Sequence, residues 1–295
     1  MLMKYDELLF TANSKARRME DFDASYTWKY MHHKEAEIDL EKNLKKMARL
    51  QDKLFAEGRQ SLFIVLQALD AAGKDGAIKH VMSGLNPQGC RVSSFKAPSV
   101  YELDHDFLWR SHMEIPPRGM IGIHNRSYYE EVLVVRVHQN ILGNQKIPDI
   151  TEKIEDGHIW KERYDDINNF ELYLVRNGIQ VLKFFLNISK DEQKKRFMER
   201  IENPEKNWKL SPNDVRERKF WNDYMKVYFK MMQHTSTKYA PWYIIPADNK
   251  WFSHIAIGEI VVEKLREMNP EYPELNKEQQ EELRIARDIL DNEKK

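Results

Sequence analysis

A loop of small residues with one lysine lies between an apolar strand and a helix in the segment from Phe63 to His80. The segment reads FIVLQALDAAGKDGAIKH, and a strand-to-helix turn of this kind points backbone N–H groups and the positive end of a helix dipole at phosphate oxygens. Lys74 adds a mobile positive charge, as in a P-loop. Asp70 would be repelled from an anion site unless it orients a metal ion or an acceptor group. We therefore expect Asp70 and Lys74 to be catalytic and the rest of the loop to bind phosphate: Ala71, Ala72, Gly73, Asp75 and Gly76.

The loop departs from the usual P-loop pattern at two positions. Ala68 stands where the first glycine is expected, and Asp75 stands where a magnesium-binding serine or threonine usually follows the lysine. A tight strand-to-helix turn with a solvent-facing lysine is therefore the alternative interpretation. The position of Asp70 inside the cradle favours the phosphate site.

A second polar cluster, HNRSYYEE from His124 to Glu131, follows another apolar strand. The carboxyl ends of parallel strands meet at one edge of a sheet, so we expect this cluster to face the phosphate loop. Arg126 would contact the transferred phosphoryl group or the acceptor phosphate, and Asp70 would hold a metal ion with help from Glu130 or Glu131. The alternative is that Arg126 pairs with a carboxylate and that Tyr128 and Tyr129 belong to the core.

Short apolar runs alternate with helical segments along the chain, which is typical of an α/β protein with a parallel sheet covered on both faces. The strands are expected at residues 61–67, 91–95, 119–124, 180–188 and 241–246. Apolar residues at helical spacing predict a helical lead-in from Ala24 to Gly58. The C-terminal LNKEQQEELRIARDILDN predicts an amphipathic helix that packs on the body or on a neighbouring subunit.

The charge of the chain is balanced overall and uneven locally. The 295 residues carry 47 Lys and Arg against 47 Asp and Glu, which argues against a basic nucleic-acid coat. Between Lys183 and Lys219, however, eleven basic residues face seven acidic ones. The single cysteine, Cys90, fits a reducing compartment, and no apolar run is long enough for a signal peptide or a membrane span. We expect a cytoplasmic protein with neither a membrane nor a nucleic acid as partner.

With these residues in hand, the sequence resembles the polyphosphate kinase 2 family from about Tyr26 to Ile260. LDAAGKDGAIKHVMSGLNPQGCRVSSFKAPS is similar to the modified P-loop of that family, and NRSYYEEVLVVRVH resembles its second motif. Most members open the second motif with Asp-Arg-Ser, whereas Asn125 is like the class III subgroup, which phosphorylates both nucleoside mono- and diphosphates. The region from Asp191 to Tyr239 looks like the mobile lid, and STKYAPWYIIPADNKWF resembles the closing segment.

The resemblance implies a P-loop kinase of the thymidylate-kinase type, a three-layer α/β sandwich with a helical lid and extra N-terminal helices. One domain would comprise an N-terminal extension (1–58), a core (59–188 and 234–266), a lid (189–233) and a C-terminal helix (267–295). It also implies Mg²⁺, with Mn²⁺ as a substitute, and a homo-oligomer (dimer or tetramer). The implied reaction transfers the terminal phosphoryl group of inorganic polyphosphate to AMP, ADP or both, giving ADP and ATP, with guanine nucleotides as secondary acceptors. The nucleotide-binding candidates are Asn125, Tyr128, Glu130 and Glu131.

A polyphosphate chain carries charge along its whole length, so its groove requires successive cations beyond the loop. The candidates for this basic track are Lys79, Arg118, Lys194, Lys195, Arg200 and Lys209. The aromatic residues that could stack on a base are Trp109, Trp160, Trp208 and Tyr128. Two alternatives remain open: an ATP-dependent nucleoside monophosphate kinase, and a regulator that binds polyphosphate or nucleotide without turnover. An assembly protein built on the acidic C-terminal helix is a third.

Overall fold

The computed structural model describes residues 7–11, 14, 17–30 and 33–293. Its centre is a parallel sheet of five strands in the spatial order β2-β3-β1-β4-β5. The strands are Ser61–Gln67 (β1), Cys90–Ser94 (β2), Ile121–Asn125 (β3), Ile179–Asn187 (β4) and Trp242–Pro246 (β5). Each lies within one or two residues of its predicted position, because continuous apolar runs such as SLFIVLQ are buried on both faces of a parallel sheet.

Helices cover both faces of the sheet. Their bounds are His33–Glu57 (α1), Lys74–Val81 (α2), Val100–Leu103 (α3), Trp109–His112 (α4), Val134–Val137 (α5), Ile150–Glu155 (α6), His158–Arg176 (α7), Lys190–Glu202 (α8), Pro212–Glu217 (α9), Trp221–Thr235 (α10), Lys250–Met268 (α11) and Lys277–Asp291 (α12). Short 3₁₀ helices include Tyr128–Val132 and Pro204–Lys209.

Alternate side chains of β1 point into two separate apolar layers. Leu62, Ile64 and Leu66 pack in the layer formed with α1, α2 and α11. Phe63 and Val65 pack in the layer formed with α7 and α10. This alternation follows from the two-residue period of a strand, and it confirms the expected α/β sandwich of three layers.

The lead-in to the sheet differs from its prediction. The first long helix begins at His33 rather than at Ala24. Tyr26 and Tyr30 instead pack their rings edge-on against Phe252, at centroid distances of 6.1 and 6.5 Å. Trp28 has a left-handed backbone with φ 50°, which no helix accommodates. The helical spacing of these aromatic residues therefore reflected packing onto α11; Met31 lies outside the described residues.

The segment between β4 and β5 forms an arm over the carboxyl edge of the sheet. It comprises α8, the 3₁₀ turn at Pro204–Lys209, α9 and α10. Ser189 caps α8 and Ser211 caps α9, so side-chain hydroxyls define both starts. The C-terminal helix α12 forms at the predicted place and is exposed along its whole described length, so it does not pack on the body. Along the described chain, no helix has the length and apolar character required to cross a bilayer.

Candidate active site

The phosphate loop connects the carboxyl end of β1 to the first turn of α2. Leu66 is paired with Asn125 of the adjacent β3, and Leu66 O accepts a hydrogen bond from Arg126 N at 3.1 Å. The two polar clusters therefore meet at one edge of the sheet, as their positions after parallel strands predicted. Within the loop, Ala71 (φ 62°) and Gly73 (φ 113°) have left-handed backbones that turn the chain into the helix. Gly73 suits this conformation because it has no Cβ.

The carbonyl groups of the loop are held by three side chains. Lys74 donates from Nζ to Ala68 O at 2.7 Å. On α8, Gln193 donates to Asp70 O at 2.9 Å. Arg196 donates to Ala71 O and Ala72 O at 3.0 and 2.8 Å. With these carbonyl groups occupied, the N–H groups in the first turn of α2 are the loop groups available to an anion.

Arg126 and Asp70 face each other across the cleft. Arg126 Nη2 donates to Asp70 Oδ1 at 2.7 Å, and both side chains keep about a third of their surface exposed, 39% and 30%. Arg126 also has a left-handed backbone, φ 63°, a strained conformation for a residue with a side chain. The pair therefore holds a cation and a carboxylate in fixed positions that substrate can still reach.

The cleft also contains side chains from the arm over the sheet. Asp214, Arg218, Tyr224 and Tyr228 line it opposite Asp70. Burial raises the pKa of Asp214, and the nearby Asp70 raises it further. Burial likewise raises the pKa of Glu130, although Arg126 and Lys74 oppose this change. Carboxyl groups from the loop and from the arm therefore crowd one cleft, and a bound cation would relieve their repulsion.

Lys74 is buried and has an altered charge equilibrium. Burial, the largest cause, and the neighbouring Arg126 guanidinium lower its pKa to about 8, although Asp70, Glu130 and Asp75 favour the charged form. In mildly alkaline solution Lys74 therefore begins to lose its proton and with it its positive charge. A phosphate bound at the loop would restore its preference for the charged form.

The donor set fits a magnesium ion that is held mainly by its substrate. No group of three His, Cys, Asp or Glu side chains among the described residues forms a ready metal site. Kinase sites commonly bind Mg²⁺ through one or two carboxylates, waters and substrate phosphates. Asp70 and Glu130, which both line the cleft, supply such carboxylates.

Two of the nucleotide-binding candidates lie inside the protein. Tyr128 is 1% exposed and donates its hydroxyl to Glu171 at 2.9 Å, so its ring has no face open to a base. Glu131 is buried in an ion pair with Arg163 at 2.9 Å. Both side chains belong to the core, which corrects the nucleotide-binding prediction for Tyr128 and for Glu131. Asn125 lies at the end of β3 and donates to Asp75 of the loop, and Glu130 lines the cleft.

The cations expected to form a basic track are dispersed. Arg118 precedes β3 and donates to Arg59 O, so it lies at the amino edge of the sheet, opposite the phosphate loop; this placement corrects its assignment to the track. Lys79, Lys194 and Lys195 are exposed on α2 and α8, and Arg200 is partly exposed and donates to Lys209 O at 3.2 Å. Among the candidate aromatic residues, Trp160 is buried, Trp109 stacks on His105, and Trp208 is 78% exposed.

Sequence reasoning missed Arg196. In the sequence, Arg196 is one of the eleven basic residues between Lys183 and Lys219, and no motif assigns it to the site. The structure buries it to 3% exposure and directs it at the carbonyls of Ala71, Ala72, Ala247 and Asp248. The available signal was its place three residues after Gln193, which puts both side chains on one face of α8.

A parallel sheet with a phosphate loop after its central strand, an Arg–Asp pair beside the loop and a helical arm above it define a P-loop kinase fold. The family model described as polyphosphate kinase 2 matches residues 30–273, and the chain belongs to that family.

Similar proteins match this chain over most of their length. An ADP-polyphosphate phosphotransferase of Rhodopseudomonas palustris is 47% identical over 251 residues, 85% of this chain and 86% of the relative. An AMP/ADP-polyphosphate phosphotransferase of Meiothermus ruber is 44% identical over 230 residues, 78% of this chain and 81% of the relative. The crystal structure of polyphosphate kinase 2 from Arthrobacter aurescens TC1 superposes with a TM-score of 0.84 at 36% identity, covering 96% of this chain and 97% of that one.

Proposed function

We propose that this protein is a polyphosphate-dependent nucleotide kinase that transfers the terminal phosphoryl group of inorganic polyphosphate to AMP and ADP. The observation that carries the proposal is the phosphate loop with Lys74 beneath it and the Arg126–Asp70 pair beside it. The two relatives described above are named for polyphosphate together with ADP or with AMP and ADP. The names of these relatives support polyphosphate as the donor and a nucleotide as the acceptor, and the loop supports a phosphate substrate.

The chemistry requires positioning and charge stabilisation more than a covalent intermediate. The N–H groups of the loop would hold the terminal phosphoryl group of the donor. Lys74 and Arg126 would offset the charge that develops on its equatorial oxygens in an in-line transfer. A nucleotide phosphate is already anionic, so it attacks without a general base. The P–O bond to the attacking oxygen forms while the bond to the shortened polyphosphate breaks, and the leaving chain keeps the electron pair.

We propose that Asp70, with help from Glu130, holds the Mg²⁺ that accompanies the phosphates, and Mn²⁺ could take the same oxygen ligands. The ion would neutralise phosphate charge and order the donor and acceptor oxygens. Asp70 also orients Arg126 through their hydrogen bond at 2.7 Å. The Asp70 carboxylate would thus position two cations, the metal ion and the guanidinium of Arg126.

The acceptor range is proposed to include both mono- and diphosphates. The second motif opens with Asn125 instead of aspartate, and the Asn125 amide donates to Asp75 at 2.7 Å. An uncharged side chain at the end of β3 removes one negative charge from the acceptor side of the cleft. Adenine nucleotides are the primary acceptors proposed, with guanine nucleotides second.

We further propose that the enzyme acts in the cytoplasm as a homo-oligomer. A free thiol at Cys90, whose pKa burial raises to about 11, suits a reducing compartment. The exposed apolar side chains Leu283, Ile289 and Leu290 of α12 favour association with a second copy. Light scattering of the full chain and of a Leu283→Glu/Leu290→Glu variant tests this: a larger species only in the unsubstituted chain supports it.

The test of activity is ATP formation from ADP, and separately from AMP, with polyphosphate and Mg²⁺ as the only additions. ATP from both acceptors is the expected result. ATP from ADP alone would confine the acceptor range to diphosphates. Phosphorylation of AMP by added ATP, with no product from polyphosphate, would assign the donor to ATP and overturn the proposal.

A further inference from the structure

A group of nitrogen bases lies beside the phosphate loop, on the side formed by α2 and α11. His80 of α2 and His254 of α11 stack with their ring centroids 4.5 Å apart and their planes at 17°. Lys250 begins α11, one turn before His254, and is exposed. Along the described chain, no hydrogen bond or ion pair to a carboxylate engages Lys250 or either of these two imidazoles.

This group adjoins the part of the loop that would hold phosphate. A Cβ built on Gly76 would lie 3.8 Å from His254 Nε2, so the imidazole packs against the first turn of α2. The backbone N–H groups of that turn are those that face an anion. His254 therefore lies against the first turn of α2, and the charge of Lys250 acts on it from one turn earlier on α11.

The charges around His254 come from four elements. On α2 it faces His80, on α11 Lys250, on α8 Arg196, and on α1 His33, which lies 3.4 Å from Glu37. Glu192 and Glu199 of α8 act on Lys250, together with the cations Arg196 and Lys206. Glu192 already pairs with Arg196 at 2.8 Å. With the imidazoles neutral, the three cations Lys250, Arg196 and Lys206 balance the three carboxylates Glu37, Glu192 and Glu199, so protonation of the imidazoles would make the cluster cationic.

The neighbours of His254 disfavour its protonation. Burial, the largest cause, lowers its pKa to about 4 together with His80, Lys250, Arg196 and His33. Desolvation and Arg196 also lower the pKa of Lys250. A polyanion that entered the cluster would reverse both effects and take up protons as it bound.

The proposed function gives this cluster a candidate ligand, since the inference rests on polyphosphate as the donor. When the terminal phosphoryl group of a polyphosphate occupies the loop, the remaining phosphate units must leave the loop on one side. The cleft side carries the carboxylates Asp70, Glu130 and Asp214 as well as Arg126 and Arg218, and the phosphate of the acceptor nucleotide would occupy it. We propose that Lys250, His254 and His80 bind the polyphosphate units behind the transferred one and select for long chains.

The inference is tested with donors of two lengths. Tripolyphosphate fills the loop and little more, whereas a chain of tens of phosphates would also cover the cluster. For Lys250→Gln/His254→Asn we expect the KM for long-chain polyphosphate to rise about tenfold, equivalent to about 1.4 kcal/mol. The KM for tripolyphosphate and the kcat with either donor should stay within twofold of the unsubstituted enzyme.

The matched control is Lys264→Gln, which removes the same charge from α11 about 21 Å further along the helix. An unchanged ratio of the two KM values in Lys250→Gln/His254→Asn, or an equal rise in the control, would overturn the inference. Absence of any product from the unsubstituted enzyme would instead overturn the proposed function. For the single substitution His80→Asn at this exposed position we expect a smaller rise in the KM for long-chain polyphosphate with the KM for tripolyphosphate unchanged, and an equal rise for both donors would contradict the inference.

A calorimetric measurement tests the same site without turnover. Long-chain polyphosphate is titrated into the full chain at pH 6 in two buffers of different ionisation enthalpy. We expect net proton uptake by the unsubstituted protein, because the bound anion raises the pKa of His254, and less uptake by His254→Asn. Affinity should rise as the pH falls through the bound-state pKa of His254 and level off below about 4. Equal uptake in both proteins would contradict the inference.

Discussion

The amide of Asn125 donates from Nδ2 to Asp75 Oδ1 at 2.7 Å, and this contact ties the end of β3 to the first turn of α2. Aspartate at position 125 would replace a hydrogen bond by two facing carboxylates. We expect Asn125→Asp to lower kcat/KM for AMP and ADP about tenfold at pH 8, with recovery at lower pH, because like charges raise each other's pKa and one group becomes protonated. Steady-state kinetics between pH 5.5 and 8.5 checks this.

Asp75→Asn in the same chain should restore most of the activity at pH 8, since an amide again faces a carboxylate. The single Asp75→Asn variant controls for the loss of the Asp75 charge itself. A double variant that is as impaired as Asn125→Asp would show that the contact between the two side chains is not the cause.

Lys74 is expected to be essential for turnover. Removing one preorganised donor that stabilises transition-state charge costs roughly 10²- to 10³-fold in kcat. Lys74→Ala should show that loss while circular dichroism retains the signal of the folded protein. The unpaired Ala68 carbonyl should lower the free energy of unfolding by about 1–3 kcal/mol. Lys79→Ala, an exposed lysine on the same helix, is the control and should change neither quantity appreciably.

Activity at low donor concentration should decline in alkaline solution. Burial and Arg126 lower the pKa of Lys74 to about 8, and the charged lysine is the form that attracts phosphate. As pH rises through that value the lysine loses its proton, so kcat/KM for polyphosphate should fall by about tenfold per pH unit above it. The kcat at saturating donor should hold to higher pH, since bound phosphate raises the lysine pKa. A flat kcat/KM profile up to pH 9.5 would show that Lys74 does not lose its proton in this pH range.

Arg196 should act by positioning the loop. Its guanidinium donates to four backbone carbonyls, two in the loop and two after β5. A lysine keeps the charge and cannot reach all four. We expect Arg196→Lys to lower kcat at least tenfold, because small misplacements of reacting groups are costly. The KM for AMP should change little. Lys195→Ala, an exposed neighbour on α8, should keep the kcat, and a similar loss there would point to a general effect on the helix.

A buried ion pair supports the segment that follows Arg126. Lys183 donates to Glu171 at 2.6 Å, both side chains are fully buried, and the hydroxyls of Tyr128 and Tyr129 donate to the same carboxylate. Lys183→Met leaves Glu171 charged and unpaired, so we expect the free energy of unfolding to fall by about 3–5 kcal/mol. Urea denaturation measures it. Adding Glu171→Leu should recover part of the loss, and no recovery would show that packing rather than charge dominates.

The sheet and the loop follow from the sequence because each depends on local pattern. Continuous apolar runs specify buried strands, and Lys74 and Arg126 come directly after two of them. Residues far apart in sequence carry no such signal. Arg196 reaches the loop across 124 positions, so its role depends on how α8 packs.

Tyr128 and Glu131 are close to Arg126 in sequence and yet do not belong to its site. They follow Arg126 closely, and proximity in sequence suggested a shared role at the cleft. Within the 3₁₀ helix Tyr128–Val132 these side chains turn inward instead, where Glu171 and Arg163 satisfy them. A polar residue close in sequence to a site can equally belong to the core, and only its partner in three dimensions distinguishes the two roles.

The pairing of residues 8–10 with β5 also affects which edge of the sheet is open to strand pairing with a second molecule. Phe10 N donates to Trp242 O and Ile244 N donates to Leu8 O, both at 2.8 Å, so this outer strand is covered. At the other end of the sheet, β2 carries the charged Arg91 and a half-exposed Val92. A sheet with one covered edge offers only its other edge for strand pairing, and growth of open-ended fibres by edge-to-edge pairing needs both. The N-terminal segment therefore removes the β5 edge from such pairing.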